Sequence, residues 1–391
     1  MNSRPRIAYV CADAGIPPDG HKGASVHFRE LAAAFARSGR ALDVVMAQAG
    51  DVRGLAPHRA ECVPAPRAAG VAGELLQLAN NGPLLQALQR TGPHAAVYER
   101  LSLFGLAGLA HARALGVPFV VEANAPIWRE AAAFRSLRLP HAAHGVCRDV
   151  LLAADHVLAV SPALAAEIVA EGARPERVQV FGNGADLARF RSAVPSEKPP
   201  ALRGRPTLLF AGSLKPWHGI GFLLRAFATL RRGLDCGLWI VGDGPARAEI
   251  ERAIAAHPGD IVLEGAIAHQ RMPGVLAAAD IVVAPYTGDA PHWFSPLKVV
   301  EALAAGRPLV ASRVPCVLQS LVGHEPPGLH DADDVDGFVA AVRRVLALGV
   351  AAGRSGIDAG LVQRLDWRVH AERIGELVGV APGVATEVGC G

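Results

Sequence analysis

Residues 281–312 read IVVAPYTGDAPHWFSPLKVVEALAAGRPLVAS. The stretch opens on a short apolar run, passes through a loop, resumes as an apolar helical segment that stops at Gly306, and enters a second short run, PLVAS. Strand, helix, strand is the unit of a parallel sheet, because parallel neighbours need a crossover to bring the chain back to the same end. The pattern repeats outward. Upstream lie TLLFAG (207–212), GLWIVG (237–242) and IVLEG (261–265), each followed by a segment fit to return as a helix. A separate series precedes them: RIAYVC (6–11), LDVVMA (42–47), AVYER (96–100), PFVVEAN (118–124), HVLAVS (156–161) and VQVFGN (178–183). Between the two series, 185–206 carries four prolines and mixed charge, which is linker chemistry.

At 391 residues the chain exceeds one ordinary core. The reading is two doubly wound α/β domains: 1–190, a linker 191–205, 206–364, and a C-terminal helix and tail over 365–391. A net charge of +3 gives no case for nucleic acid. Six scattered cysteines, Cys390 among them, form no C-x-x-C pair, so a reduced, cytoplasmic protein is expected. No apolar run is long enough to span a bilayer.

Ser295 stands at an expected helix N-cap, with Pro296 at the first helical position. The backbone N–H groups of Ser295, Leu297 and Lys298 and the Lys298 ammonium make an anion site, and the Glu301 carboxylate one turn on suits the hydroxyls of a ribose. A nucleoside diphosphate has both parts at that separation. The alternative is a capped helix carrying a Lys298–Glu301 surface pair. In the first domain, Glu99 and Arg100 end one strand and Glu122 and Asn124 another, so all four are expected to face a site between the domains. VGDGPAR is not a dinucleotide fingerprint, since Arg247 occupies the third glycine position. His141 and His144 lack a carboxylate to complete a metal site and read as surface residues.

FSPLKVVEALAAGRPLVAS resembles the nucleotide-sugar motif of glycosyltransferase family 4, retaining enzymes of the GT-B fold. The likeness continues, in the family's order, through GASVHFRELAAAFARSG (23–39), VYERLSLFG (97–105), VEANAP (121–126), VFGNGADLARF (180–190), FAGSLKPWHGIGFLL (210–224) and WIVGDGPAR (239–247). It implies two Rossmann-like domains facing a cleft, with the last helix packing back on the first domain. It implies donor contacts at Gly23, Ala24, Ser213, Lys215, His218, Gly242, Gly244, Gly265 and Ala266, besides Ser295, Pro296, Leu297, Lys298 and Glu301. Lys22, Glu99, Arg100, Glu122 and Asn124 fall on the acceptor side. Lys215, Glu301, Glu122 and Asn124 are the catalytic candidates.

In its second domain the sequence departs from the family's pattern at three places. Ser213 and His218 stand where an arginine and a lysine are usual, leaving Lys215 to supply charge to the diphosphate. Trp293 stands where a first glutamate contacts the donor sugar, and Asp289 is the nearby carboxylate.

The implied reaction is metal-independent transfer of a sugar, with retention, from a nucleoside-diphosphate sugar to a saccharide, a lipid-linked saccharide or a small metabolite, as in polysaccharide biosynthesis. The leaving diphosphate would be stabilised by helix N-termini, Lys215 and Lys298. A peripheral membrane contact at the inner face would use the arginines of 127–149, which otherwise read as two solvated helices split at Pro140. The alternatives are a catalytically silent nucleotide-sugar-binding protein and, less favoured, a nucleotide-dependent oxidoreductase.

Overall fold

The computed structural model describes residues 5–348 and 359–382; Cys390 and the end of the 365–391 segment lie outside them. Two parallel sheets carry the fold. The first holds β1 (Arg6–Cys11), β2 (Ala41–Met46), β3 (Arg59–Cys62), β4 (Ala96–Arg100), β5 (Phe119–Ala123), β6 (His156–Ala159) and β7 (Val178–Val180), in the order β3-β2-β1-β4-β5-β6-β7. The second holds β8 (Thr207–Ala211), β9 (Gly237–Val241), β10 (Ile261–Glu264), β11 (Ile281–Ala284), β12 (Leu309–Ser312) and β13 (Leu329–His330), in the order β10-β9-β8-β11-β12-β13. Each is a doubly wound, Rossmann-like sheet whose strand order reverses beside its first strand.

These strands are apolar on both sides because helices cover both faces. Along β8, Leu209 and Ala211 join one buried cluster while Leu208 and Phe210 join the other. In the first sheet, Tyr9 of β1 stacks on Phe28 of the helix Gly23–Arg37, ring centroids 4.2 Å apart.

The chain divides into Met1–Gly182 with Trp367–Gly391, and Asn183–Asp366. The division falls before the proline-rich stretch because Leu187 and Phe190 are already in the core of the second unit. The final helix, Trp367–Leu377, packs on Gly23–Arg37: the Trp367 ring meets His27 edge-on at 4.7 Å, and Arg40 Nε donates to the Val380 carbonyl at 2.9 Å.

The basic stretch 127–149 forms two helices, Ile127–Phe134 and Pro140–Ala153. Three of its four arginines are engaged: Arg129 with Glu167, Arg135 with Glu130, and Arg148 with the Glu171 carbonyl. His144 lies 2.8 Å from Glu171 and stacks on Trp128. Among the described residues no helix is long and apolar enough to cross a membrane.

Candidate active site

In the second unit the sequence-predicted donor residues gather at the carboxyl ends of the strands. β8 runs into Gly212 and Ser213, β9 into Gly242 and Gly244, β10 into Gly265 and Ala266, and β11 into the loop before the helix Leu297–Ala304. β8 and β11 flank the point where the strand order reverses. Lys298 sits there.

From Lys298 to Ala304 every residue of that helix is buried. The Lys298 Nζ lies 3.8 Å from the Phe210 ring centroid and 4.9 Å from that of Tyr286, and has no hydrogen-bond partner among the described residues. Burial pushes its pKa down from 10.5 to about 7. A lysine and a glutamate paired on a solvated face is therefore not what this helix carries. Glu301 is buried too, and its Oε1 accepts from His269 Nε2 at 2.6 Å. A lone buried ammonium is costly unless an anion arrives to meet it.

Ser295 is not the N-cap. Its Oγ accepts from the Asn183 backbone N–H at 3.0 Å and its carbonyl accepts from Asn183 Nδ2 at 2.6 Å, so Pro296 takes the cap position and the helix starts at Leu297. The first-turn donors left to face a ligand are the N–H groups of Leu297 and Lys298.

The Gly212 and Gly242 loops are in close contact. Gly242 has φ of 147° and donates to Gly265, while a Cβ on Gly242 would fall 1.9 Å from the Gly212 carbonyl oxygen. Gly244, at φ 153°, accepts no Cβ without meeting the Leu214 backbone, and Asp243 Oδ1 shapes the turn by accepting from the Gly244 N–H at 2.8 Å. Gly242→Ala should lower the stability of the second unit by at least about 2 kcal/mol, since this backbone region is open essentially to glycine alone. Thermal unfolding measures it; an unchanged melting profile would mean the loops tolerate separation.

His218 packs edge-on against Tyr286 at 5.4 Å, and its Nδ1–H donates to the Ser213 carbonyl. Desolvation, then the charges of Lys298 and Lys215, hold its pKa down at about 2, so it is neutral and its Nε2 is an acceptor. In that tautomer it braces the loop and has no proton for a phosphate oxygen. Lys215 is exposed, its Nζ 4.8 Å from the Trp217 ring centroid. Trp293 is half-buried beside His292, and Asp289 is exposed on the same loop.

In the first unit, β4 and β5 are in register with Arg100 opposite Glu122. Glu122 is buried and held by four side chains. Its Oε1 lies 2.8 Å from both His27 Nε2 and Arg100 Nη1, Tyr98 donates its hydroxyl to Oε2, and Asn124 Nδ2 donates to Oε1. Burial opposes ionisation, but His27, Arg100 and Tyr98 outweigh it and hold the carboxyl well below the usual carboxylate range.

Glu99 does not join this group. It alternates with Arg100 along the strand, so it points to the other face of the sheet, beneath the helix Ala107–Leu115. There burial pushes its carboxyl up to about 8, against the backbone N–H groups of Gly108 and Leu109. Gly23 and Ala24 begin the first helix, with Lys22 exposed at its cap position.

Four site residues were not singled out in sequence: His269, which holds Glu301, Asn183, which holds Ser295, and His27 and Tyr98, which hold Glu122. Asn183, His27 and Tyr98 lie inside quoted motifs and His269 does not. Neither spacing nor residue type shows which distant side chain they reach.

Residues 21–189 match the model for Glycosyltransferase Family 4, and residues 205–347 the model for Glycosyl transferases group 1. The chain belongs to the family-4 glycosyltransferases. It is 30% identical over 236 residues to a GDP-mannose-dependent alpha-mannosyltransferase of Mycobacterium tuberculosis, covering 58% of this chain and 57% of that one. It is 31% identical over 268 residues to a protein of the same name from Mycolicibacterium smegmatis, covering 65% and 66%. The match thus spans less than two thirds of either relative. Anabaena HepE, solved in complex with UDP, has the same two-domain GT-B fold, with a TM-score of 0.70 at 17% identity over 96% of this chain and 99% of that one.

Proposed function

We propose that the chain moves a sugar from a nucleoside-diphosphate sugar to a hydroxyl acceptor, retaining anomeric configuration and using no metal. The observation that carries this reading is the buried Lys298 ammonium, unpaired at the strand-order reversal, with Glu301 one turn along the same helix. A diphosphate against Lys298 and the Leu297 and Lys298 N–H groups would restore the lysine's charge and stabilise the leaving group as the glycosidic bond breaks. Glu301, held by His269, would take the ribose hydroxyls. With no nucleophile placed at the site among the described residues, the leaving phosphate would accept the acceptor's proton on the same face. Family membership supports the reaction class. The names of two relatives put GDP first among nucleoside diphosphates to try, and the UDP complex of a fold neighbour puts UDP second.

Thermal stability with GDP, UDP, dTDP, CDP and NAD, each with and without EDTA, tests it. One nucleoside diphosphate at 100 times its dissociation constant should add about 2.7 kcal/mol, unaffected by EDTA. A response to NAD alone, or to no diphosphate, would overturn the reading. Glu301→Gln should weaken the same diphosphate roughly tenfold or more, as expected for hydrogen bonds to a charged group, measured by calorimetry.

A further inference from the structure

The first unit has a cavity of about 570 Å³ beyond the carboxyl ends of β1, β2 and β3. It belongs to that unit alone. Gly20, His21, Lys22, Ser25, Arg67 and Gln77 are among its lining residues, and no carboxylate is; Asp13 and Asp19 lie on the adjoining loop but outside the lining. The helix Gly23–Arg37 starts at this cavity without a side-chain cap, so the N–H groups of Gly23, Ala24 and Ser25 have no helical partner. Ser25 is 1% exposed, yet its Oγ has no hydrogen-bond partner among the described residues. Buried hydroxyls are ordinarily satisfied, so one left open at a lined cavity is available to a ligand.

The loop is built around that hydroxyl. Arg29 Nη1 donates to the Pro18 and Gly20 carbonyls at 2.7 and 2.8 Å, and a Cβ on Gly20 would fall 2.5 Å from Ser25 Oγ. Lys22 and Arg67 have no ion-pair partner among the described residues.

We propose that this cavity binds a phosphate-bearing group of the acceptor. A phosphate offers acceptor oxygens only at these donors, and its charge suits a helix N-terminus flanked by Lys22 and Arg67. Calling the ligand an acceptor rests on the transferase reading; the binding itself does not. The phosphate can be that of a soluble ester or of a lipid headgroup. The second source is open because the helix Gly70–Ala79, whose Gly73 and Gln77 line the cavity, exposes Val71, Leu75 and Leu78 by 47%, 51% and 36%.

The test titrates the full chain with sn-glycerol 3-phosphate and with glycerol by calorimetry. In parallel, it is sedimented with phosphatidylglycerol–phosphatidylcholine vesicles and with phosphatidylcholine vesicles. Glycerol 3-phosphate should bind and glycerol should not, or the anionic vesicles should carry the protein down and the neutral ones should not. Whichever arm responds names the source. Ser25→Val, Lys22→Ala and Arg67→Ala should each weaken that response about tenfold, while GDP- or UDP-induced stabilisation stays intact. That retained response also shows each variant is folded.

No response in either arm, or a response indifferent to all three variants, overturns the proposal. So does one-for-one displacement of glycerol 3-phosphate by a nucleoside diphosphate, which would make the cavity part of the donor site. If the nucleotide response is absent in the unaltered protein, the transferase reading fails and phosphate binding is judged separately.

Discussion

Lys298→Met should raise the melting temperature of the ligand-free protein and abolish its response to nucleoside diphosphate. The unfolded lysine keeps its proton to about pH 10, whereas the folded one loses it near 7. Holding that group in the native core therefore costs on the order of 4 kcal/mol at neutral pH. Methionine keeps most of the stem's volume between Phe210 and Tyr286 and has no charge to desolvate. Allowing for lost cation–π attraction, a rise of roughly 5–10 °C follows for a unit of this size.

The pH dependence has a definite sign. Between pH 7 and 10.5 the unfolded state holds the Lys298 proton and the folded state does not, so this group's contribution to stability grows as pH rises through that window, against the opposite contributions of Glu99 below about pH 8 and of the buried cysteines above about pH 9. The variant should lack this contribution, seen as the difference between the two stability profiles. Diphosphate reverses the balance by favouring the charged lysine, so binding should take up a proton near pH 7 and tighten as pH falls from 8 to 6. Calorimetry in buffers of different ionisation enthalpy reads the uptake directly. A variant that melts lower, or still responds to diphosphate, would remove Lys298 from the donor site.

Strand identity was legible where residues are buried on both sides, and there the sequence ranges agree with the structure to within one to three residues. β3 (RAEC) and β13 (LH) were passed over because they are short sheet edges without an apolar run. The chemistry of Lys298 and Glu301 was legible because a cation and a carboxylate are out of place on an otherwise apolar helix. Their environment was not. Glu301 meets His269 across 32 residues and Ser295 meets Asn183 across 112, and no local rule predicts such contacts. Ser295 had the right type for a cap but lost that role to a competing hydrogen bond. Glu99 was misplaced for a simpler reason: strand ends set position along the sheet, but alternation decides the face, and neighbours in a strand cannot share one.

Glu122→Ala should unfold the first unit far more readily, by about 3–5 kcal/mol, the usual consequence of removing one partner from a buried charged group. Arg100 is itself buried, and its guanidinium would be left without the carboxylate 2.8 Å away. His27 would lose the same partner, and with it a support for the helix Gly23–Arg37 and for Trp367 packed against its ring. Glu122→Gln keeps the shape but not the charge and should cost less, while still leaving Arg100 unneutralised. Hydrogen exchange on the full chain locates the damage: protection should fall in β4 and β5 and hold in β8. The same pair of variants separates two roles for this residue. A carboxylate that takes a proton from the acceptor would give a Gln variant that is folded and inactive. One whose lone pairs already serve His27, Arg100, Tyr98 and Asn124 gives a Gln variant whose loss of turnover follows its loss of protection. The hydrogen-bond pattern favours the second outcome, because a base needs a lone pair facing substrate and Glu122 is buried with donors on both oxygens.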